Sequence, residues 1–221
     1  MSRITFEDIK HSEEIRTYIK QADASLEALG YTEHSFAHTT KCAEVAGNLL
    51  EDLGYDPHEV ELARIAAFMH DIGNVVNRVD HAQSGAIMAF RLLDKMGMDP
   101  KDTAAVITAI GNHDEATAYP VNAVAAALII ADKTDVRRSR VRSLETIQTD
   151  IHDRVNYAVE KADISLNIEA KTITLCLTID TEICSVMDYF EIFLGRMLLS
   201  RKAAEFLGLK FKLNINNSMM L

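Results

Sequence analysis

From Ser12 to about Lys161 apolar residues recur at three- and four-residue steps, and from Leu166 to Ile179 at every second residue. The helical period predicts helices over 12–29, 38–53, 57–71, 81–96, 99–112, 120–136 and 143–161, each gathering on one side the side chains that must leave water. The punctuation agrees: Gly30, Gly54, Gly73 and Gly97 stand where helices stop, Pro57 and Pro100 fall in first turns, and Asp99 is placed to cap the helix that Pro100 opens. Seven helices are thus expected before the pattern changes.

Near residue 165 the period switches to two: Leu166 and Ile168, then Ile173, Leu175, Leu177 and Ile179, with polar residues mostly between them. This predicts a hairpin turning near Glu169, Ala170 and Lys171, then a long helix over 182–207 ended by Gly208, then a last strand through Leu209, Phe211, Leu213 and Ile215. The expected fold is mainly α, a helical domain over 1–164 with a small α+β subdomain over 165–221.

Composition narrows the class. A hydrophobic share of 48% with 25% charged residues is that of a folding globular chain. The net charge of −10 disfavours wrapping nucleic acid or an anionic membrane, so an anionic ligand needs a local cationic site. Cys42, Cys176 and Cys184 form no CxxC pair, the first residues form no apolar leader, and the longest apolar run (123–131) is far short of a membrane span; a reducing cytoplasm is the expected home. The outlier is histidine, with 8.

His38 shares a stripe with Cys42, Val45 and Leu49; His81 with Gly85, Met88 and Leu92; His113 continues Val106, Ala109 and Ile110; Asp132 continues Val121, Ala125 and Leu128. Each polar group therefore sits at one end of a core-facing stripe, and His70 and Asp71 close their helix in the same way. Burying so many ionisable groups without partners costs several kcal/mol each, roughly, so the set requires a compensating charge, which a divalent cation supplies. Four imidazoles and two carboxylates suit Fe or Mn above all, with Zn, Co and Ni also compatible. Two ions bridged by a carboxylate use six groups better than one ion does, and Asp71 is the natural bridge. Cys42 reads as ordinary core, and His11, His58 and His152 as surface. His34, one turn before His38, is a ligand, a support behind the ligands or a substrate contact.

The ordered series His38, His70-Asp71, Asp132, with "AAFMHDIGN" around the doublet, resembles the HD superfamily of metal-dependent phosphohydrolases over roughly residues 30–142. His81 in "HAQSGA" and His113 in "GNHDEATAYP" resemble the branch with a two-metal centre, which includes the HD-GYP cyclic-dinucleotide phosphodiesterases. The chain departs from HD-GYP at Asn74, where Lys is usual, at Asn112-His113-Asp114 in place of His-His-Glu, and at Ala118-Tyr119-Pro120 in place of Gly-Tyr-Pro. These departures weigh against cyclic-dinucleotide hydrolysis and leave a two-metal HD site standing. His34 occupies the place where some relatives carry a Glu ligand.

The resemblance implies an HD-domain helical bundle holding two divalent transition metal ions and hydrolysing a small-molecule phosphate ester, of a nucleotide or a related compound. Lys133, Arg137 and Arg140 follow the last ligand and can meet phosphoryl oxygens, Lys133 foremost; Asn74 is a further substrate contact, and Asp114 a candidate acid or base beside His113. Phe36 and Tyr119 are the candidate stacking aromatics. Two rivals remain open: a di-iron oxygenase on the same fold, and a non-catalytic nucleotide sensor. Exposed strands in the C-terminal subdomain suit it to pair with a second copy as a homodimer.

Overall fold

The computed structural model describes residues 3–220, which divide into two compact units, Met1–Asp132 and Lys133–Leu221. The expected division was 1–164 and 165–221.

The first unit is helical. Helix α1 (Phe6–His11) was not anticipated: it is only six residues long, too short to show a period, and a capping box between Thr5 and Asp8 starts it. Helices α2 (Glu13–Ala28), α3 (Phe36–Asp52), α4 (Pro57–Met69), α5 (His81–Met96), α6 (Pro100–Gly111) and α7 (Ala123–Lys133) lie within a few residues of their expected spans. Their starts are fixed by side chains that satisfy the first backbone N–H groups: Ser12 for α2, Ser35 for α3, Asp56 for α4 and Asp99 for α6. Helix α3 packs along α4, and α5 along α6. Ile65, Ala66, Ala67, Phe68 and Met69 are all buried, so the C-terminal turns of α4 lie in the core on every side. His58 departs from expectation: it is part-buried, and its Nε2 meets Asp102 Oδ1 at 2.7 Å, tying the first turn of α4 to that of α6.

The second unit opens with buried residues through Val136 and a turn at Arg138–Arg140. The helix expected over 143–161 is cut to α8 (Ile151–Ala158), and the chain turns at Val159 into β1 (Val159–Asn167). Asp150 starts α8 by accepting from His152 and Asp153 N–H groups. Glu160, Lys161 and Asp163, polar positions that fit a helix face, instead lie exposed on an edge strand paired antiparallel to β2 (Thr172–Ile179). The hairpin turn falls where expected, with Lys171 at φ 49°. Helix α9 (Val186–Phe206) connects β2 to β3 (Lys210–Ile215), which runs parallel to it, and β4 (Ser218–Met219) closes the order β1-β2-β3-β4. Ile173, Leu175 and Leu177 face Phe211, Leu213 and Ile215 in register, one buried apolar face of the sheet. No helix among the described residues is long and apolar enough to cross a membrane.

One contact sets how closely the elements of the first unit approach. After α4 the chain makes a tight turn over Ile72–Val75, and Gly73 in that turn lies directly on the start of α5. A Cβ on Gly73 would stand 2.0 Å from the His81 carbonyl oxygen and 2.5 Å from Gly85 N, both backbone atoms that cannot swing away. Gly73→Ala should therefore cost about 3 kcal/mol or more. Gly111→Ala, whose Cβ would meet only Ala86 at 3.7 Å, should be neutral or mildly stabilising. Thermal unfolding of the two variants checks the contrast.

Candidate metal centre

Four of the expected ligands lie at or just past helix C-termini and two in first turns. His38 is in the first turn of α3, His70 follows the last residue of α4, Asp71 is next in sequence, His81 opens α5, His113 lies two residues past α6, and Asp132 is in the last turn of α7. His38 and His70 are fully buried, and His81, His113 and Asp71 nearly so.

The six meet around the Asp71 carboxylate. Its Oδ2 lies 3.2 Å from His70 Nε2 and 3.7 Å from His38 Nε2, while Asp132 Oδ1 lies 3.5 Å from His38 Nε2 and 3.7 Å from His70 Nε2. Its Oδ1 lies 3.6 Å from His81 Nε2 and 3.9 Å from His113 Nε2. Within each group the nitrogens crowd: His38 and His70 Nε2 are 3.4 Å apart, His81 and His113 Nε2 3.1 Å. Lone pairs so close repel unless a proton or a metal ion lies between them.

The other face of three rings explains why Nε2 is the presented atom. His70 Nδ1 is 2.7 Å from the Ala67 carbonyl, His81 Nδ1 3.0 Å from that of Arg78, and His113 Nδ1 2.6 Å from that of Ile110. In each case the carbonyl is three residues back, and a carbonyl can only accept, so the ring must carry its proton on Nδ1 and turn a bare Nε2 inward. His38 differs, since its Nδ1 faces the Cys42 sulfur at 3.6 Å. Cys42, expected as plain core, is buried there and within reach of a cation shared with His38 and Asp132.

The charges respond to one another. Burial by itself would raise the Asp71 carboxyl, but the positive charge of His70, with those of His34 and His81, outweighs it and holds Asp71 well below the usual carboxylate range. Burial would lower His70, and Asp71 above all, then Asp132, raise it instead. His81 moves the other way: burial lowers it and Arg78 adds to the effect against the pull of Asp71. A neutral His81 is a donor in waiting.

These residues fit a divalent cation. Asp71 Oδ2 is buried and accepts no hydrogen bond, an orphaned charge-bearing oxygen surrounded by imidazole nitrogens. Among the described residues, the donor groups compact enough to hold an ion are drawn from His38, Cys42, His70, Asp71, His81, His113 and Asp132. The family model described as the HD domain matches residues 35–158. The chain belongs to the HD domain family.

That HD match takes in all six converging residues and leaves His34 outside it. An uncharacterized protein of Methanocaldococcus jannaschii is 25% identical over 185 residues, covering 73% of this chain and 71% of the relative. Ribonuclease Y of Cutibacterium acnes is 31% identical over 126 residues, and that of Deinococcus radiodurans 31% over 129; this HD chain spans 53% of itself in both but only 22% and 21% of those proteins. A solved structure, a predicted HD superfamily hydrolase from an uncultured Thermotogales bacterium, is 30% identical, with 57% of this chain and 69% of that one covered and a TM-score of 0.46.

The remaining expected residues are placed as follows. Asn74, expected at the substrate, holds Asp71: its amide donates to the Asp71 carbonyl and to Oδ1, both at 2.9 Å. His34 is half-buried, its ring 5.5 Å from that of His38, with Nδ1 at the Thr32 carbonyl. Asp114 is half-buried and its charge favours the protonated form of His81. Lys133 follows Asp132 at the end of α7 and is buried. Arg137 and Arg140 converge on the buried Asp135: Arg137 Nε lies 2.9 Å from Oδ1, and Arg140 donates to the backbone carbonyl at 2.8 Å with its guanidinium 3.7 Å from Oδ2. Phe36 touches Phe68 and Arg16, while Tyr119 is exposed. Sequence reasoning passed over Arg78, which reaches His81 Nε2 and Asn74 Oδ1, both at 3.3 Å. A lone cation between two ligand positions was the available signal.

Mn²⁺ at a hundred times its dissociation constant should add about 2.7 kcal/mol to stability, seen as a raised melting temperature that chelator reverses. Asp71→Asn, which removes the charge shared by both groups, should abolish most of that rise.

Proposed function

We propose that the protein is a metal-dependent phosphohydrolase that cleaves a phosphomonoester or phosphodiester, of a nucleotide or related compound, with two divalent cations. The observation that carries this is the Asp71 carboxylate, each of whose oxygens faces its own pair of imidazole Nε2 atoms. One cation would be held by His38, His70, Asp71 and Asp132, the other by Asp71, His81 and His113. Bound in such donor sets, divalent cations lower the pKa of a water and neutralise the oxygens of a transferring phosphoryl group.

The chain's own residues supply the frame. Three backbone carbonyls fix ring orientation and tautomer, and Asn74 fixes the shared carboxylate, so the donors need no rearrangement when charge develops. The first set would be the more saturated by protein, since both Asp71 and Asp132 reach His38 and His70, and the second would leave more positions for water and substrate. Asp114, next to His113 in sequence, is the proposed proton carrier, and Lys133, next to Asp132 in sequence, the proposed cation for phosphate. The likeness to Ribonuclease Y supports a phosphodiester within the substrate range.

Protein purified without chelator should carry close to two transition-metal ions per chain by elemental analysis and should release phosphate or alcohol from a panel of nucleotides and nitrophenyl esters with added Mn²⁺. Asp71→Ala should lower both metal content and turnover, the latter by at least about 100-fold. Oxygen uptake by iron-loaded protein with no ester cleaved would overturn this reading in favour of an oxygenase.

A further inference from the structure

Both ring nitrogens of His81 address the same residue. Nδ1 lies 3.0 Å from the Arg78 carbonyl oxygen, and Nε2 lies 3.3 Å from a terminal guanidinium nitrogen of Arg78. That guanidinium also donates to Asn74 Oδ1 at 3.3 Å, and Asn74 in turn holds Asp71, so Arg78, Asn74 and Asp71 form one chain of polar contacts at the three-donor end of the site. The guanidinium carbon lies 5.6 Å from the centroid of the exposed Tyr31 ring. Arg78 is half-buried, and among the described residues no carboxylate pairs with it. Several other arginines are closed by carboxylates: Arg137 and Arg140 on Asp135, and Arg138 on Glu160 and Asp180.

We propose that Arg78 is the anion receptor of this site, the guanidinium that takes a phosphoryl oxygen pair of the substrate beside the Asp71, His81 and His113 donors. Its resting contact explains why it is available. The His81 lone pair can serve the guanidinium or a metal ion but not both, and two cations on one nitrogen repel. With a metal ion held by His81, the Arg78 guanidinium would lose that contact, and its charged, planar donor fork, which no carboxylate pairs with among the described residues, would be open to a phosphate, whose geometry it matches bidentately. Cation loading and anion recognition are coupled through one imidazole nitrogen. The inference rests on the proposed function only for the ligand class, a phosphate group.

Isothermal titration of Mn²⁺-loaded protein with inorganic phosphate tests it apart from turnover. Wild type should bind phosphate, Arg78→Gln should bind it about 10- to 100-fold more weakly, and Arg78→Lys, with charge but no fork, should fall between. Mn²⁺ itself should bind Arg78→Gln as tightly as wild type or more tightly, because a competing cation has gone. Phosphate affinity within twofold of wild type in Arg78→Gln, a tenfold loss of Mn²⁺ affinity in that variant, or no phosphate binding by loaded wild type would each overturn the proposal. Arg78-dependent phosphate binding without hydrolysis of any ester would leave it standing and sink the hydrolase reading instead.

Discussion

A single carboxylate with two oxygens and four imidazoles around it is the constraint on which the first unit depends. Asp71 is buried, and one of its oxygens has no hydrogen bond. Left alone, such a group costs several kcal/mol, roughly the size of a large share of a domain's net stability. What offsets it in the polypeptide is imidazole charge, chiefly that of His70. A cation does the same work without forcing any histidine to hold an extra proton. Removing one member of the cluster leaves the others as uncompensated buried charges, so the six residues form a unit rather than a sum of pairs.

Close backbone approach is what makes the cluster geometrically attainable. The turn after α4 must bring Asp71 near His81, and it does so because Gly73 and Gly85 lie back to back: a Cβ on Gly85 would also meet Gly73 N, at 3.3 Å, and the His70 carbonyl at 3.2 Å. Small residues in "HDIG" and "HAQSG" thus act through contact distance, and the chemistry is downstream of it. The ordering is sequence to turn, turn to helix approach, helix approach to donor convergence.

Most of this was readable from periodicity. Stripes ending in His38, His81, His113 and Asp132 required convergence because each stripe is a core face, and core faces meet. What escaped was non-periodic or tertiary. Helix α1 is too short to show a period, β1 has charges that a helix face would accept equally well, and the His58–Asp102 pair joins positions 44 apart. Asn74 and Arg78 lie in a turn and the irregular stretch after it, where spacing carries no directional information, so neither the support that Asn74 gives Asp71 nor the reach of Arg78 could be derived. That Arg137 and Arg140 both engage the buried Asp135 was equally hidden, because in the sequence Asp135 reads as one more polar residue.

The carbonyl three residues before each of His70, His81 and His113 has an evolutionary corollary. Every such donor is aimed by its own local stretch of chain, so its direction does not depend on the length of the loop that follows. Insertions between Asp114 and Asn122, for example, would lengthen the rim around the site while leaving the aim of the donors intact. The length of that loop can therefore change separately from the aim of the candidate metal-binding donors.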